Sequence, residues 1–193
     1  MTRDVWDRLL GEARKMHESD PAMRDFCAFP NDVTAQEVPQ FHIPPCDLML
    51  AETGYKDAET PIRRAFVEAA PVAKWRETYK DTDIGDDFMS RFGCFCLIGE
   101  GGAFHSDHMM VWVVYMPPHL HYPWHHHPAE EIYRIIGGEA RFFREGQPTE
   151  WLRAGDCCEH ASNQPHAMET EESPVMAYVA WRNGFETPPV LTN

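Results

Sequence analysis

The chain has 193 residues, 43% of them hydrophobic and 25% charged, which is enough for one domain with a sizeable core and excludes a disordered or low-complexity chain. With 17 basic against 31 acidic side chains its formal charge is −14, which argues against nucleic acid and anionic membranes as partners and is compatible with a zwitterionic small molecule. No apolar run approaches the ~20 residues that span a bilayer, and Met1-Thr2-Arg3-Asp4-Val5-Trp6 lacks the basic-then-apolar order of a signal peptide, so the expected location is the cytoplasm.

The first part reads as helical. Val5, Trp6, Leu9, Leu10, Ala13 and Met16 recur at helical spacing, with acidic Asp4 and Asp7 in the first turn. A second short helix is expected from Pro21 to Phe26 with Asp20 as N-cap. Pro30, Pro39, Pro44 and Pro45 predict an irregular connection over 30–47. Thr60-Pro61 is a good N-cap and N1 pair, opening a helix that runs to about Ala70. Pro71 then begins another turn or short helix ending near Tyr79. Residues 1–85 thus form a helical N-terminal region that packs on the remainder of the chain.

From about Asp86 the pattern changes. Phe88 to Ile98 is rich in Phe and Cys, and Met109 to Met116 is apolar and β-branched. Short strand-like segments succeed one another at Glu131–Ile136, Ala140–Phe143, Asp156–Glu159, Ala167–Glu169 and Val175–Trp181. Gly137-Gly138, Glu145-Gly146-Gln147-Pro148, Ala154-Gly155-Asp156 and Glu171-Glu172-Ser173-Pro174 separate them. Many short strands at close spacing predict a mainly β sandwich or barrel over 86–193. The six cysteines lack CxxC spacing, so Cys94, Cys96 and the vicinal Cys157-Cys158 are expected as reduced, buried thiols.

Two segments carry chemistry. The first is His125-His126-His127-Pro128-Ala129-Glu130-Glu131-Ile132-Tyr133. On an extended chain residues two apart share a side, so His125 points with His127, and Glu131 with Tyr133. Two imidazoles and a carboxylate suit Fe(II), Mn, Co, Ni or Zn. The second runs from Gly155-Asp156 to His166, which ends a turn-rich loop and is placed to close the site. His126 should face away from its neighbours. His17 and His42 have no partner pattern, and His105, His108, His119 and His160 read as surface or supporting groups. His121, being near the site in sequence, is ambiguous.

These two segments resemble the motifs of the cupin superfamily. His125, His127, Glu131 and Gly138 meet the first motif, and the interval from Gly155 to His166 meets the second, over roughly Pro117 to Trp181. Asn163 stands where that family usually has Gly and Ala161 where it usually has Pro; Asn tolerates a positive φ, so the turn can survive. The resemblance implies a single cupin β-barrel (a double-stranded β-helix, or jelly roll) with an N-terminal helical extension. It also implies one divalent transition-metal ion, with His125 either a further ligand or an adjacent polar group.

A narrower resemblance, to the bacterial dimethylsulfoniopropionate (DMSP) lyases of the DddQ type, rests on length, the helical first part, Tyr122-Pro123-Trp124-His125-x-His127, Glu131-x-Tyr133, His166 and Trp181. That family cleaves DMSP to dimethyl sulfide, acrylate and a proton. The resemblance implies His127, Glu131 and His166 as ligands and Tyr133 close to or on the metal. β-Elimination then needs a base, for which Tyr133 and Tyr122 are the candidates, Tyr133 being preferred for its shared face with Glu131. Trp124, Trp181 and Tyr122, with His125, are expected around the sulfonium, each cation–π contact worth roughly 0.5–2 kcal/mol; each Trp fits an ordinary core position equally well. The same ligand set also serves Fe(II) dioxygenases and sugar isomerases or epimerases. A small-molecule-binding cupin without activity is the non-enzymatic alternative. A monomer or homodimer is expected.

Overall fold

In the computed structural model, which describes residues 2–192, the first part is a layer of short helices. Helix α1 (Thr2–Ser19) buries Trp6, Leu9, Ala13 and His17 on one face. Helix α2 (Pro21–Phe26) is capped by Asp20, whose carboxylate accepts from the Ala22 and Met23 amides. The prolines of 30–47 do not keep the whole stretch irregular. Pro44 and Pro45 open helix α3 (Pro44–Ala51), because the first turn of a helix needs no N–H from either residue. Helix α4 (Pro61–Ala69) starts as expected, with the Thr60 hydroxyl accepting from the Arg63 amide. A 3-10 turn over Ala70–Val72 comes next, but the chain then extends instead of continuing as helix. Asp86–Arg91, at the start of the span expected to be mainly β, forms helix α5.

The strands are β1 (Thr34–Ala35), β2 (Trp75–Arg76), β3 (Gly93–Ile98), β4 (Phe104–His105), β5 (Met110–Met116) and β6 (His121–His126). They continue as β7 (Glu130–Arg144), β8 (Glu150–Arg153), β9 (Cys157–His160), β10 (His166–Glu169), β11 (Val175–Arg182) and β12 (Val190–Leu191). Their order is β1-β4-β3-β5-β11-β7-β10-β6-β12, with β2 added on β3 and with β8 and β9 on β7. The two strands expected on either side of Gly137-Gly138 are one, because the glycines form a bulge and not a turn. Pairing with β11 slips at this point, and Gly138 has φ +72° with Pro174 O only 1.7 Å from where a Cβ would lie. The first half of β7 therefore pairs with β9 and β11 and its second half with β8 and β10.

Both faces of the central strands are covered. In β5, Val111, Val113 and Tyr115 join Trp6, Leu9 and Phe66 under the helices, whereas Trp112, Val114 and Met116 face a second core with Leu152, Met168 and Tyr122 from the opposite strands. That double burial explains why Met109–Met116 is a continuous apolar run instead of an alternating one. It also separates the vicinal cysteines. Cys158 belongs to the lumen core and Cys157 packs against the helix-side core, and all six cysteines are free thiols. The result is a β-barrel of the kind the cupin resemblance implies, whose outer face carries the helices and whose lumen holds a group of buried polar side chains, among them His125, His127, Glu131, His160 and His166. Among the described residues, no helix is long and apolar enough to cross a membrane.

Candidate metal centre and active site

Strand pairing brings the motif residues together from distant parts of the chain. His166, the first residue of β10, lies opposite His125 of β6. Glu131 of β7 lies opposite Trp181 on one side and His160 on the other. The turn before His166 passes through Asn163 at φ +57°, and its amide donates to the His127 carbonyl at 2.8 Å. Asn thus does the work expected of a glycine there.

The metal-ligating atoms of His127, Glu131 and His166 all lie within 4.8 Å of one another, and all three residues are buried. His127 Nε2 is 3.5 Å from Glu131 Oε1, and His166 Nε2 is 3.3 Å from Glu131 Oε2. The far side of each ring is fixed. His127 Nδ1 donates to Ala129 O at 3.0 Å and His166 Nδ1 to Gln164 O at 2.8 Å. A carbonyl can only accept, so each Nε2 presents a lone pair toward Glu131. Neither Nε2, nor Glu131 Oε2, has a hydrogen-bond partner among the described residues. Three buried acceptors aimed at one point are costly unless a cation joins them. The donor set and the fixed tautomers therefore fit a metal ion.

Glu131 is also held from outside this trio. Trp181 Nε1 donates to Glu131 Oε1 at 2.6 Å, and its ring stacks on His127 at 4.3 Å. His160 Nδ1 approaches Glu131 Oε2 at 2.9 Å but is not aligned for a hydrogen bond. Burial alone would raise the Glu131 pKa; the imidazoles of His127, His160 and His166 outweigh it and hold the carboxyl well below its ordinary range. Burial, reinforced by His166, lowers His160 to about 4, so it is neutral near pH 7.

Above this set is a narrow cavity of about 40 Å³ lined by Tyr122, His125, His127, Glu131, Tyr133 and Trp181, with Arg76 and Trp112 on its wall. Tyr133 shares the lumen face with Glu131, as the alternation of β7 requires. Tyr122 stacks on His125 with centroids 3.9 Å apart, and its hydroxyl meets that of Tyr79 at 2.9 Å. Burial raises both phenols well above their ordinary pKa, aided by the Glu131 charge at Tyr133 and by Tyr79 at Tyr122. His125 donates from Nδ1 to Pro123 O at 2.8 Å. It lines the cavity but stands outside the trio whose ligating atoms converge. Trp124 is not brought to the cavity. It is 39% exposed and packs on Phe143, because β6 slips register against β10 between His166 and Met168 and loses its two-residue alternation.

Residues 23–177 match the family model described as dimethylsulfoniopropionate lyase. The chain belongs to the DMSP lyase family. The matched span runs from α2 into β11, so it takes in part of the helical layer as well as every residue of the trio and both tyrosines. The dimethylsulfoniopropionate lyase DddQ of Ruegeria pomeroyi is 48% identical over 99% of this chain and 96% of its own length. A crystal structure of DddQ from the same organism superimposes with a TM-score of 0.95 over 98% of this chain and 96% of its own. A structure described as that of the DMSP lyases RdDddP and RnDddQII reaches 0.94 at 34% identity, covering 100% of both chains.

Three of the residues around the site, Trp112, Tyr79 and Arg76, were not anticipated from sequence, and His160, read there as a surface or supporting group, is a buried supporting group beside Glu131. His160 lies one residue beyond the strand expected over Asp156–Glu159, on the same parity as buried Cys158, and extending that strand by one would have turned it inward. Trp112 lies in a continuous apolar run, where no alternation marks one face from the other. Tyr79 and Arg76 come from the N-terminal region and carry no local signal of their own.

Proposed function

We propose that this chain is a carbon–sulfur lyase that cleaves DMSP to dimethyl sulfide, acrylate and a proton, with His127, Glu131 and His166 holding one divalent transition-metal ion of the Fe(II), Zn, Mn, Co or Ni group. The observation that carries this reading is the convergence, in a DMSP lyase family member, of three buried, unpartnered ligand atoms beside a cavity lined by Tyr133 and Tyr122. Bound there, the ion supplies positive charge that neutralises the substrate carboxylate and offsets the burial and Glu131 effects on the Tyr133 phenol.

The protein's own groups do the rest. Tyr133, as phenolate, takes the proton from the carbon next to the carboxylate. The C–H electron pair becomes the new C=C bond, the C–S bond breaks with its pair going to sulfur, and dimethyl sulfide leaves neutral. No general acid is required for such a leaving group. Tyr122, held by Tyr79 and stacked on His125, is the second candidate base and one wall of the cavity. The faces of Trp181 and Tyr122 receive the sulfonium, while His125 stays neutral because burial and His166 depress its pKa. The substrate is a zwitterionic small molecule, with no nucleic acid or membrane partner, and the protein acts in the cytoplasm as a monomer or homodimer. Two histidines and one carboxylate also match the Fe(II) oxygenase pattern, so a dioxygenase is the competing reading. Headspace dimethyl sulfide from metal-loaded protein given DMSP tests the proposal. Oxygen uptake with no dimethyl sulfide would overturn it in favour of the competing reading.

A further inference from the structure

The cavity at Glu131 adjoins a larger outer cavity, a vestibule of about 960 Å³, and Arg76, Trp112 and Trp181 line both spaces. Arg76 reaches this junction because β2 pairs with β3. Trp75 lies opposite Phe95, and both pack into the helix-side core, so the next pair, Arg76 and Cys94, faces the lumen. The guanidinium sits 5.1 Å from the centre of the Trp112 ring. The setting is unusual for this chain. Every other arginine holds a carboxylate or a backbone carbonyl. Among the described residues Arg76 has neither ion pair nor hydrogen bond, although acidic side chains outnumber basic ones by 31 to 17. The Trp112 indole N–H beneath it is buried and also lacks a partner. Lys80, which shares the vestibule, is already paired with Glu77, and Lys74 is exposed and lines only the outer space.

From this juxtaposition of an unpaired guanidinium and an unpartnered indole N–H at the throat between vestibule and reaction cavity, we infer that Arg76 is the carboxylate-recognition residue of this enzyme. A planar guanidinium presents paired donors that match the two oxygens of a carboxylate. It selects short carboxylates from an otherwise anionic surface and orients them as they enter, with the Trp112 ring supporting the guanidinium, while the cationic end of a zwitterion is left to the Trp181 and Tyr122 faces further in. The substrate's identity rests on the proposed lyase reaction; the affinity for a short carboxylate does not.

The test uses metal-loaded wild type, Arg76→Met and Arg76→Lys, titrated calorimetrically with propionate and acrylate, and with trimethylsulfonium as a cation that has no carboxylate. Arg76→Met should weaken both carboxylates by at least ~10-fold, Arg76→Lys by less, and neither should change trimethylsulfonium binding. Metal content and Tm should stay at wild-type values. With DMSP, KM should rise by a similar factor while kcat stays within roughly threefold. Unchanged propionate affinity in Arg76→Met overturns the inference, as does a loss of metal or of Tm that accounts for the weaker binding. If wild type releases no dimethyl sulfide yet binds propionate through Arg76, the reaction fails and this inference stands. If DMSP is cleaved with the same KM in Arg76→Met, the reverse holds.

Discussion

His17 and His166 lie on opposite sides of the same barrel wall, and both are almost wholly buried. Under the helical layer, His17 Nε2 donates to Cys27 O at 2.8 Å, and Nδ1, 3.1 Å from the Tyr178 oxygen, accepts from that hydroxyl. Both nitrogens are used, so nothing is left for a ligand. In the lumen, His166 spends Nδ1 on Gln164 O and leaves Nε2 unpartnered beside Glu131. Burial is the same in the two places; what differs is whether the second lone pair has somewhere to go. A buried histidine with both nitrogens satisfied stabilises the fold, whereas a group of them each half satisfied around a carboxylate is a ligand set waiting for a cation.

The sharpest way to break that comparison is to remove the lumen ligands. Glu131→Ala or His166→Ala should lose most of the bound metal and bring dimethyl sulfide formation to background, because a divalent ion held by three protein ligands does not tolerate losing one. Elemental analysis of the purified variants decides it. Either variant retaining a full metal load would mean that the half-satisfied histidines are not ligands.

The next effect is catalytic. Tyr133→Phe keeps the ring that packs edge-on against His160 and Phe142 and removes only the hydroxyl. Folding and metal content should survive, and kcat should fall by at least ~100-fold, the scale of a lost general base. The variant should also stop exchanging the substrate α-proton with deuterated solvent. If Tyr133→Phe turns over normally while Tyr122→Phe abolishes the reaction, the base is Tyr122, relayed through its contact with Tyr79.

The lumen side was legible in the sequence to the extent that it is local. His127, Glu131 and Tyr133 fall within seven consecutive residues on one strand and its approach, so period-two alternation places them together. The interval ending at His166 needed the resemblance to a known motif. The helix-side layer was legible where caps mark it, as at Asp20 and Thr60. What escaped depends on cross-strand pairing or on local register. His160 reaches Glu131 only through the β9–β7 pairing, and Arg76 reaches the throat only through β2 on β3. Trp124 turned outward because β6 carries an irregularity that no residue pattern announces. The glycine pair in β7 has the composition of a turn, and tertiary packing against Pro174 made it a bulge.

The smallest expected effect tests the other half of the comparison, that His17 is a satisfied structural group. Burial lowers its pKa below the ordinary 6.5, against smaller opposing effects from the Cys27 carbonyl, Glu18 and Asp20. The folded state therefore resists the proton that the unfolded chain accepts. The contribution of His17 to stability is thus complete above pH 6.5 and is lost as pH falls from there toward the folded pKa. The Cys27 and Tyr178 partners give a wild-type advantage over His17→Gln of about 1–3 kcal/mol at pH 7.5. That advantage should shrink on acidification by up to ~1.4 kcal/mol per pH unit within the window, because glutamine has no proton to gain. Denaturant unfolding of both metal-loaded proteins between pH 7.5 and 5 measures the difference, and comparing the two chains cancels the groups they share. Metal content should be equal in the two at every pH where both remain folded. A constant difference across the range would mean that folding does not lower the pKa of His17. A variant that lost metal would erase the distinction between the two sides of the sheet.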